Sequence, residues 1–176
     1  AKRPGKMLSV IGLDLASVKE ICGKAGAQVA NINCPGQTVI SGSPEAIEQA
    51  QTLAKAAGAK LAVQLEVSGA FHSSFMQGAC AKLAQELDKI KINPPKWPVV
   101  CNVTGKPVKD PAEIRQNLIQ QVSSSVLWED SMKFILSQGA VNFMEFGPGK
   151  VLKGLMRRID SNAQVVNIEK AVDLLK

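Results

Sequence analysis

The sequence predicts an α/β fold whose first 67 residues carry the βαββαβ order of a ferredoxin-like unit. Three observations lead there. β-prone runs alternate with segments of helical period along the whole chain. Capping residues and glycine or proline stops fall at the joints between them. Hydrophobic residues make up 45% and charged residues 20% of the 176, a composition that supports a buried core.

The elements follow in order. Residues 7–13 (M-L-S-V-I-G-L) read as a short strand. Asp14 is placed to cap a helix over 16–25, and Gly26 to stop it. Residues 28–33 alternate as a strand, Cys34-Pro35-Gly36-Gln37 is a turn, and 38–41 is the returning strand, which together make a hairpin. Ser43 is a good N-cap, with Pro44 at the first helical position and Glu45 and Glu48 near the positive helix end. That helix is expected to reach about residue 57 and stop at Gly58, and 60–67 completes the unit as a fourth strand.

Beyond it, Phe75, Met76, Cys80, Leu83, Leu87 and Ile90 recur at helical spacing, so a long helix is predicted to start at His72 and run to Ile90. Asn93-Pro94-Pro95 ends it. A strand is predicted over 99–103, a turn at Thr104 to Pro107, and a helix over 111–122 capped by Asp110. The run Ser123-Ser124-Ser125 breaks that helix, and another follows over 128–138. A strand over 141–146, the turn Gly147-Pro148-Gly149, a helix over 150–159 and a strand over 164–168 complete the α/β pattern. The division expected is 1–67 and 68–176.

Composition narrows the function. Aromatic content of 4% with no tyrosine argues against a surface that stacks nucleic-acid bases. A net charge of +6 suits solubility and is compatible with an anionic partner; its tightest cluster is Lys150, Lys153, Arg157 and Arg158. The cysteines Cys22, Cys34, Cys80 and Cys101 form no C-x-x-C pair and, with one histidine, no zinc set, so they read as reduced thiols of an intracellular protein. No apolar run approaches the roughly 20 residues of a membrane helix, and no membrane role is expected. The chain opens on the basic lead-in Ala1 to Lys6 and enters a strand at once, as a chain cut from a longer one would.

His72, the only histidine, sits in V-S-G-A-F-H-S-S-F-M at a predicted strand-to-helix junction. Gly69 and Ala70 remove bulk before it, and Ser73 and Ser74 also fit a simple capping role. Phe146-Gly147-Pro148-Gly149-Lys150 has the look of a phosphate-cradling loop but lacks the spacing of a P-loop, which favours a tight turn. Asn31, Asn33 and Gln37 surround the hairpin turn and suit the turn itself. A nucleophile for His72 is not evident, because no G-x-S-x-G occurs among the 176 residues.

Several ordered motifs carry a resemblance over nearly the whole chain. They are N-x-N-x-P-G-Q-x-V-I-S-G at Asn31 to Gly42, G-A-F-H-S at Gly69 to Ser73, P-V-V-x-N-V at Pro98 to Val103, Q-V-x-S-x-V-x-W at Gln121 to Trp128, and G-P-G-K-V-L at Gly147 to Leu152. In these the chain resembles the C-terminal part, somewhat more than half, of the malonyl-CoA:acyl-carrier-protein transacylase family. The resemblance implies that residues 68–176 are the C-terminal part of an α/β-hydrolase-like large subdomain, into which the ferredoxin-like small subdomain is inserted.

It also implies the chemistry. A serine in G-H-S-x-G takes the malonyl group from coenzyme A as an ester and passes it to the phosphopantetheine thiol of acyl carrier protein, in fatty acid biosynthesis. Matched position by position, His72 is the general base of a serine–histidine dyad, and the backbone carbonyl of Gln121 holds its imidazole. Phe71 and Asn33 match substrate-binding positions, Phe71 favouring malonyl over branched groups. Lys60, Arg157 and Arg158 match the basic surface for the acidic carrier protein, although Leu61 stands where some members have another basic residue. Malonyl-CoA is expected as substrate, with no permanently bound cofactor and no metal. The serine motif, an oxyanion-hole glutamine and the malonyl-pairing arginine lie upstream of Ala1 in the family, so this chain alone is expected to be inactive and to expose apolar surface where a missing N-terminal segment would pack. A non-catalytic carrier-binding module, or an acyltransferase fragment of a polyketide synthase, remain alternatives. The family implies a cytoplasmic location in bacteria, or an organelle interior in eukaryotes.

Overall fold

In a computed structural model, which describes residues 4–175, the first part of the chain, from Lys6 to Gln64, closes around its own core. Ala1 to Arg3 of the basic lead-in lie outside the described residues. Strand β1 (Lys6–Ile11) leads through helix α1 (Leu15–Ala25) to the hairpin β2 (Gln28–Cys34) and β3 (Gln37–Gly42). Helix α2 (Pro44–Ala56) returns the chain to β4 (Leu61–Gln64). The predicted caps form. Asp14 accepts a hydrogen bond from the Ser17 N–H at 2.7 Å, and Ser43 accepts one from the Ala46 N–H at 3.2 Å. Gly26 stops α1 with φ of 70°, a conformation only glycine adopts freely.

The strand order is β4-β1-β3-β2, with β1 antiparallel to both neighbours. This is the split-βαβ arrangement expected from the element order. A fifth strand missed in the sequence, β7 (Val126–Leu127), adds in parallel to the free edge of β2. A run of two residues carries no periodicity to detect. Both helices cover one face, where Leu8, Val10, Val18, Ile40, Ile47 and Ala50 are fully buried.

The fourth strand is shorter than predicted. Its ladder stops at Gln64, and only the Leu65 N–H still reaches β1, donating to Met7 O at 2.9 Å. The predicted helix from His72 is also corrected. His72 has φ of 55°, outside the helical region, so a single 3-10 turn (Ser74–Met76) comes first and helix α3 spans Gln77–Leu87. It ends three residues before Ile90, where Lys89 and Ile90 close a turn on Glu86 and Leu87.

The rest of the chain is looser. Strand β5 is only Val99–Val100, paired with β6 (Pro107–Val108), because from Cys101 the backbone turns back on itself: Cys101 N donates to Lys106 O and Gly105 N to Cys101 O. Cys101 therefore sits beside a turn and not in a strand. Helix α4 (Pro111–Gln120) is capped by Asp110, which accepts from Ala112 N and Glu113 N at 2.8 and 3.0 Å. Helix α5 (Trp128–Ser137), strand β8 (Asn142–Phe146), helix α6 (Val151–Ile159) and strand β9 (Gln164–Ile168) follow, with a closing 3-10 helix over Ala171–Leu175. β8 and β9 form a parallel pair. One face packs on α5 and α6, while Met144 (64% exposed), Phe146 (68%) and Val166 (53%) stand open to solvent on the other. Parallel strands are ordinarily covered on both faces, whereas here one face is apolar and open.

Candidate functional site

One close glycine contact and four hydrogen bonds build the site around His72. The segment before it approaches the start of the chain so closely that a Cβ on Gly5 would stand 2.5 Å from the Ala70 backbone nitrogen. Ser41 of β3, fully buried, donates from its hydroxyl to Phe71 O at 2.6 Å. Ser73, also buried, donates to Ala70 O at 2.6 Å. Gln28, at the start of β2, donates from Nε2 to Ser74 Oγ at 2.8 Å and accepts from the Ser74 N–H at 2.9 Å. His72 is thus the only described non-glycine residue with a positive φ, and its neighbours on both sides are tied down. Such a backbone costs on the order of 1–3 kcal/mol and persists only where its surroundings impose it.

The imidazole is held from the other side. His72 Nδ1 lies 2.8 Å from the carbonyl oxygen of Gln121. A carbonyl can only accept, so Nδ1 carries the proton and the neutral ring presents a bare Nε2. Among the described residues Nε2 has no hydrogen-bond partner. Gln121 is the C-cap of α4, and its carbonyl is one of those that a helix end leaves without an internal partner. The Gln121 side chain makes a separate contact, its Oε1 accepting from Asn102 Nδ2 at 3.3 Å. Asn102 in turn accepts at its backbone oxygen from Leu127 N at 2.7 Å, so β7 and the end of α4 are linked. Ser125 Oγ donates to Val29 O at 2.6 Å and fixes the same loop to β2.

His72 borders an open cavity of about 550 Å³, shared with Gln28, Lys19, Cys22 and Ser123 to Ser125. A Cys–His pair is not what this arrangement offers. Burial pushes the Cys22 thiol up to about 11, which keeps it protonated and unreactive. Burial raises Cys34 as well, against the nearby Arg158 charge. All four cysteines are free thiols. Among the described residues no group of three or more His, Cys, Asp or Glu could hold a metal ion, and no helix is long and apolar enough to cross a membrane.

The other predicted residues are placed as follows. Phe71 is half-exposed and lines a different cavity, with Phe75, Met76 and Lys82, while its carbonyl serves Ser41. Asn33 occupies a register shift between Ile32 and Cys34 in the β2–β3 ladder, toward the hairpin turn. A bulge of this kind re-aims a side chain.

Lys60 and Arg158 lie at the same hairpin end of the sheet, although 98 residues apart. Gly12 packs against the Lys60 side chain, a Cβ there meeting Lys60 Cγ at 2.6 Å, and Gly12 N donates to Gly36 O at 2.8 Å. Arg158 grips the same turn, donating from Nη1 to Gln37 Oε1 at 2.7 Å and from Nη2 to Pro35 O at 3.0 Å. Arg157 is exposed beside it on α6.

The Gly147-Pro148-Gly149 turn is not an open anion site. The buried carboxylate of Glu145 already accepts from Leu152 N and Lys153 N, at 2.8 and 3.0 Å, at the start of α6. Sequence reasoning missed Ser41, Gln28 and Glu145. A polar residue inside the apolar run V-I-S-G was the one available signal for Ser41.

Comparison with known proteins agrees with this architecture. Residues 1–171 match the acyl transferase domain family. The malonyl CoA-acyl carrier protein transacylase of Bacillus subtilis strain 168 is 39% identical over 183 aligned residues, which cover 98% of this chain and 58% of the relative. The enzyme of the same name from Escherichia coli K12 is 45% identical over 159 residues, 88% of this chain and 52% of that one. Among solved structures, a malonyl-transacylase in complex with its type II polyketide synthase acyl-carrier protein has a TM-score of 0.95 at 37% identity, covering 99% of this chain and 58% of the neighbour. An acyl carrier protein S-malonyltransferase from Vibrio cholerae has a TM-score of 0.93 at 37% identity, with coverage of 99% and 58%. The chain spans a little over half the length of these relatives. With sequence, topology and strand order in agreement, the chain belongs to the acyl transferase domain family.

Proposed function

We propose that this chain forms the histidine-bearing part of an enzyme that transfers malonyl groups from coenzyme A to the phosphopantetheine thiol of acyl carrier protein. The single observation that carries the reading is the Nδ1–H of His72 donating to Gln121 O at 2.8 Å, which leaves Nε2 as a base. In the step proposed, Nε2 takes the proton of a serine hydroxyl as the serine oxygen attacks the malonyl thioester. The tetrahedral adduct expels the coenzyme A thiolate, which recovers the proton from the imidazolium. The carrier-protein thiol then reverses the sequence, leaving as malonyl thioester while the serine regains its proton. Gln121 O stabilises the imidazolium in both halves, the part an acidic third residue plays elsewhere. The serine itself is not among these 176 residues.

The remaining assignments belong to the same reading. Residues 1–67 act as the small subdomain and 68–176 as part of the large one, with Phe71 and Asn33 contributing to acyl-group recognition. Lys60 and Arg157, exposed at the hairpin end of the sheet, and Arg158, which braces that end through Gln37 and Pro35, form the basic surface for an acidic carrier protein. The cytoplasm is the proposed location.

The test is a chimera in which this chain replaces the matching part of the Escherichia coli relative. Malonyl transfer to acyl carrier protein is measured, together with the malonyl ester retained on the protein by mass spectrometry. Transfer is expected in the chimera, none from this chain alone, and a loss of about 10²–10⁴-fold on His72→Ala. A chimera that transfers malonyl equally well with His72→Ala overturns the assignment.

A further inference from the structure

We propose that Ser41 and Gln28 of the βαββαβ unit are positioning residues that hold His72 in its reactive tautomer. The inference deepens the proposed function and rests on His72 acting as the base. It starts from an energetic conflict. A histidine at φ of 55° is in a sparsely populated region, so the loop by itself would relax. Relaxation by a few tens of degrees about that residue would swing the ring away from Gln121 O, and the 2.8 Å contact would be lost.

What opposes relaxation comes from the small sheet, on both sides of His72. Ser41 Oγ–H donates to the carbonyl of Phe71, the peptide that enters His72. This bond is the stronger restraint, because Ser41 is fully buried and breaking it leaves buried polar atoms unsatisfied. Gln28 grips Ser74, two residues beyond His72, through both its amide oxygen and its amide nitrogen. A two-point contact fixes orientation as well as distance. Neither side chain touches the imidazole, so neither is catalytic. Each acts through the backbone. The histidine is therefore aimed by two elements from separate parts of the chain: α4 supplies the acceptor for Nδ1, and β2 and β3 set where the ring can reach it.

A merely structural role predicts lower stability in variants with an unchanged ring. The positioning role predicts a changed tautomer, and the single histidine makes this directly readable. In ¹⁵N-labelled full chain, long-range ¹H–¹⁵N spectra report which ring nitrogen carries the proton. The wild type is expected to show the Nδ1–H form, although free histidine favours Nε2–H. Gln28→Ala and Ser41→Ala are each expected to lower the Nδ1–H to Nε2–H ratio about fivefold, the factor that one net hydrogen bond represents.

Gln28→Glu keeps an acceptor for the Ser74 N–H and accepts from the Ser74 hydroxyl, so it should restore the wild-type spectrum. Should Ser41→Ala fail to fold, Gln28→Ala alone decides, since Gln28 is exposed and outside the core. An unchanged ratio in folded Gln28→Ala, judged by its backbone amide spectrum, overturns the proposal. A wild type already in the Nε2–H form instead overturns the His72–Gln121 pairing, and with it the proposed function.

Discussion

The βαββαβ unit and the remainder of the chain are built to different standards of closure. In the first, two capped helices lie across one face of a four-stranded sheet and bury Leu8, Val10, Val18, Ile40 and Ile47 completely. In the second, two separate two-stranded sheets leave Trp97, Met144, Phe146, Val151 and Val166 exposed. Helix–sheet packing satisfies the first half internally. The second has the elements of a layered fold without enough layers to cover them. His72 lies at the join and is fastened mainly to the closed half, through Ser41 and Gln28, while its hydrogen-bond acceptor comes from the open half. The better-packed region can therefore serve as the fixed reference for a site whose other wall is less constrained.

Leu8→Ala should have the largest effect. It removes a side chain from the centre of the closed core and should cost about 2–5 kcal/mol in urea unfolding. A loss below about 1 kcal/mol would mean that the first half is not the more tightly packed one. Alkaline titration comes next. The neutral Cys22 thiol, with its ionisation moved from 9.0 to about 11 by burial, contributes stability that is fully present below pH 9 and is lost as pH rises towards 11. The sign follows because the unfolded chain releases that proton first. Urea midpoints should fall across this window in the wild type and fall less in Cys22→Ala.

Asp110→Ala probes the open half. Loss of the two cap bonds to Ala112 and Glu113 should cost about 0.5–2 kcal/mol. Because α4 ends at the residue that accepts from His72, the ring resonances of His72 should shift as well, which links the two halves through one helix. Phe146→Ser should matter least to folding. At an already exposed position the stability change should stay within about ±0.5 kcal/mol, while sedimentation should show less self-association. A large loss of stability there would show that the open face is covered after all.

Much of the closed half was legible because its signals are local. Asp14 and Ser43 are caps recognisable from the residues that follow them, and the β1–α1–β2–β3–α2–β4 order reads from periodicity over a few residues at a time. The open half was read less well for the converse reason. A strand was expected over 99–103, but only Val99 and Val100 find a partner, and a strand exists only where another pairs with it. The apolar spacing from Phe75 onward was correct for α3. It could not reveal that Ser73, Ser74 and a left-handed His72 delay the helix to Gln77. The Gly-Pro-Gly run read as a tight turn, but nothing in it revealed that the Glu145 carboxylate of the preceding strand accepts from the first N–H groups of α6.

The sequence by itself determined the α/β class, the split-βαβ order and the caps that start three helices, because each is encoded within one or two turns of chain. Resemblance to a family singled out His72 and Gln121, and the strength of that resemblance lay in several motifs kept in order. Only the tertiary structure decided how the imidazole is held: by Gln121 from 49 residues away, by Ser41 acting on its neighbour from 30, and with Arg158 bracing the hairpin end of the same sheet across 123. Hydrogen bonds that close over such separations depend on the packed positions of whole elements, and no local pattern of residue types specifies them.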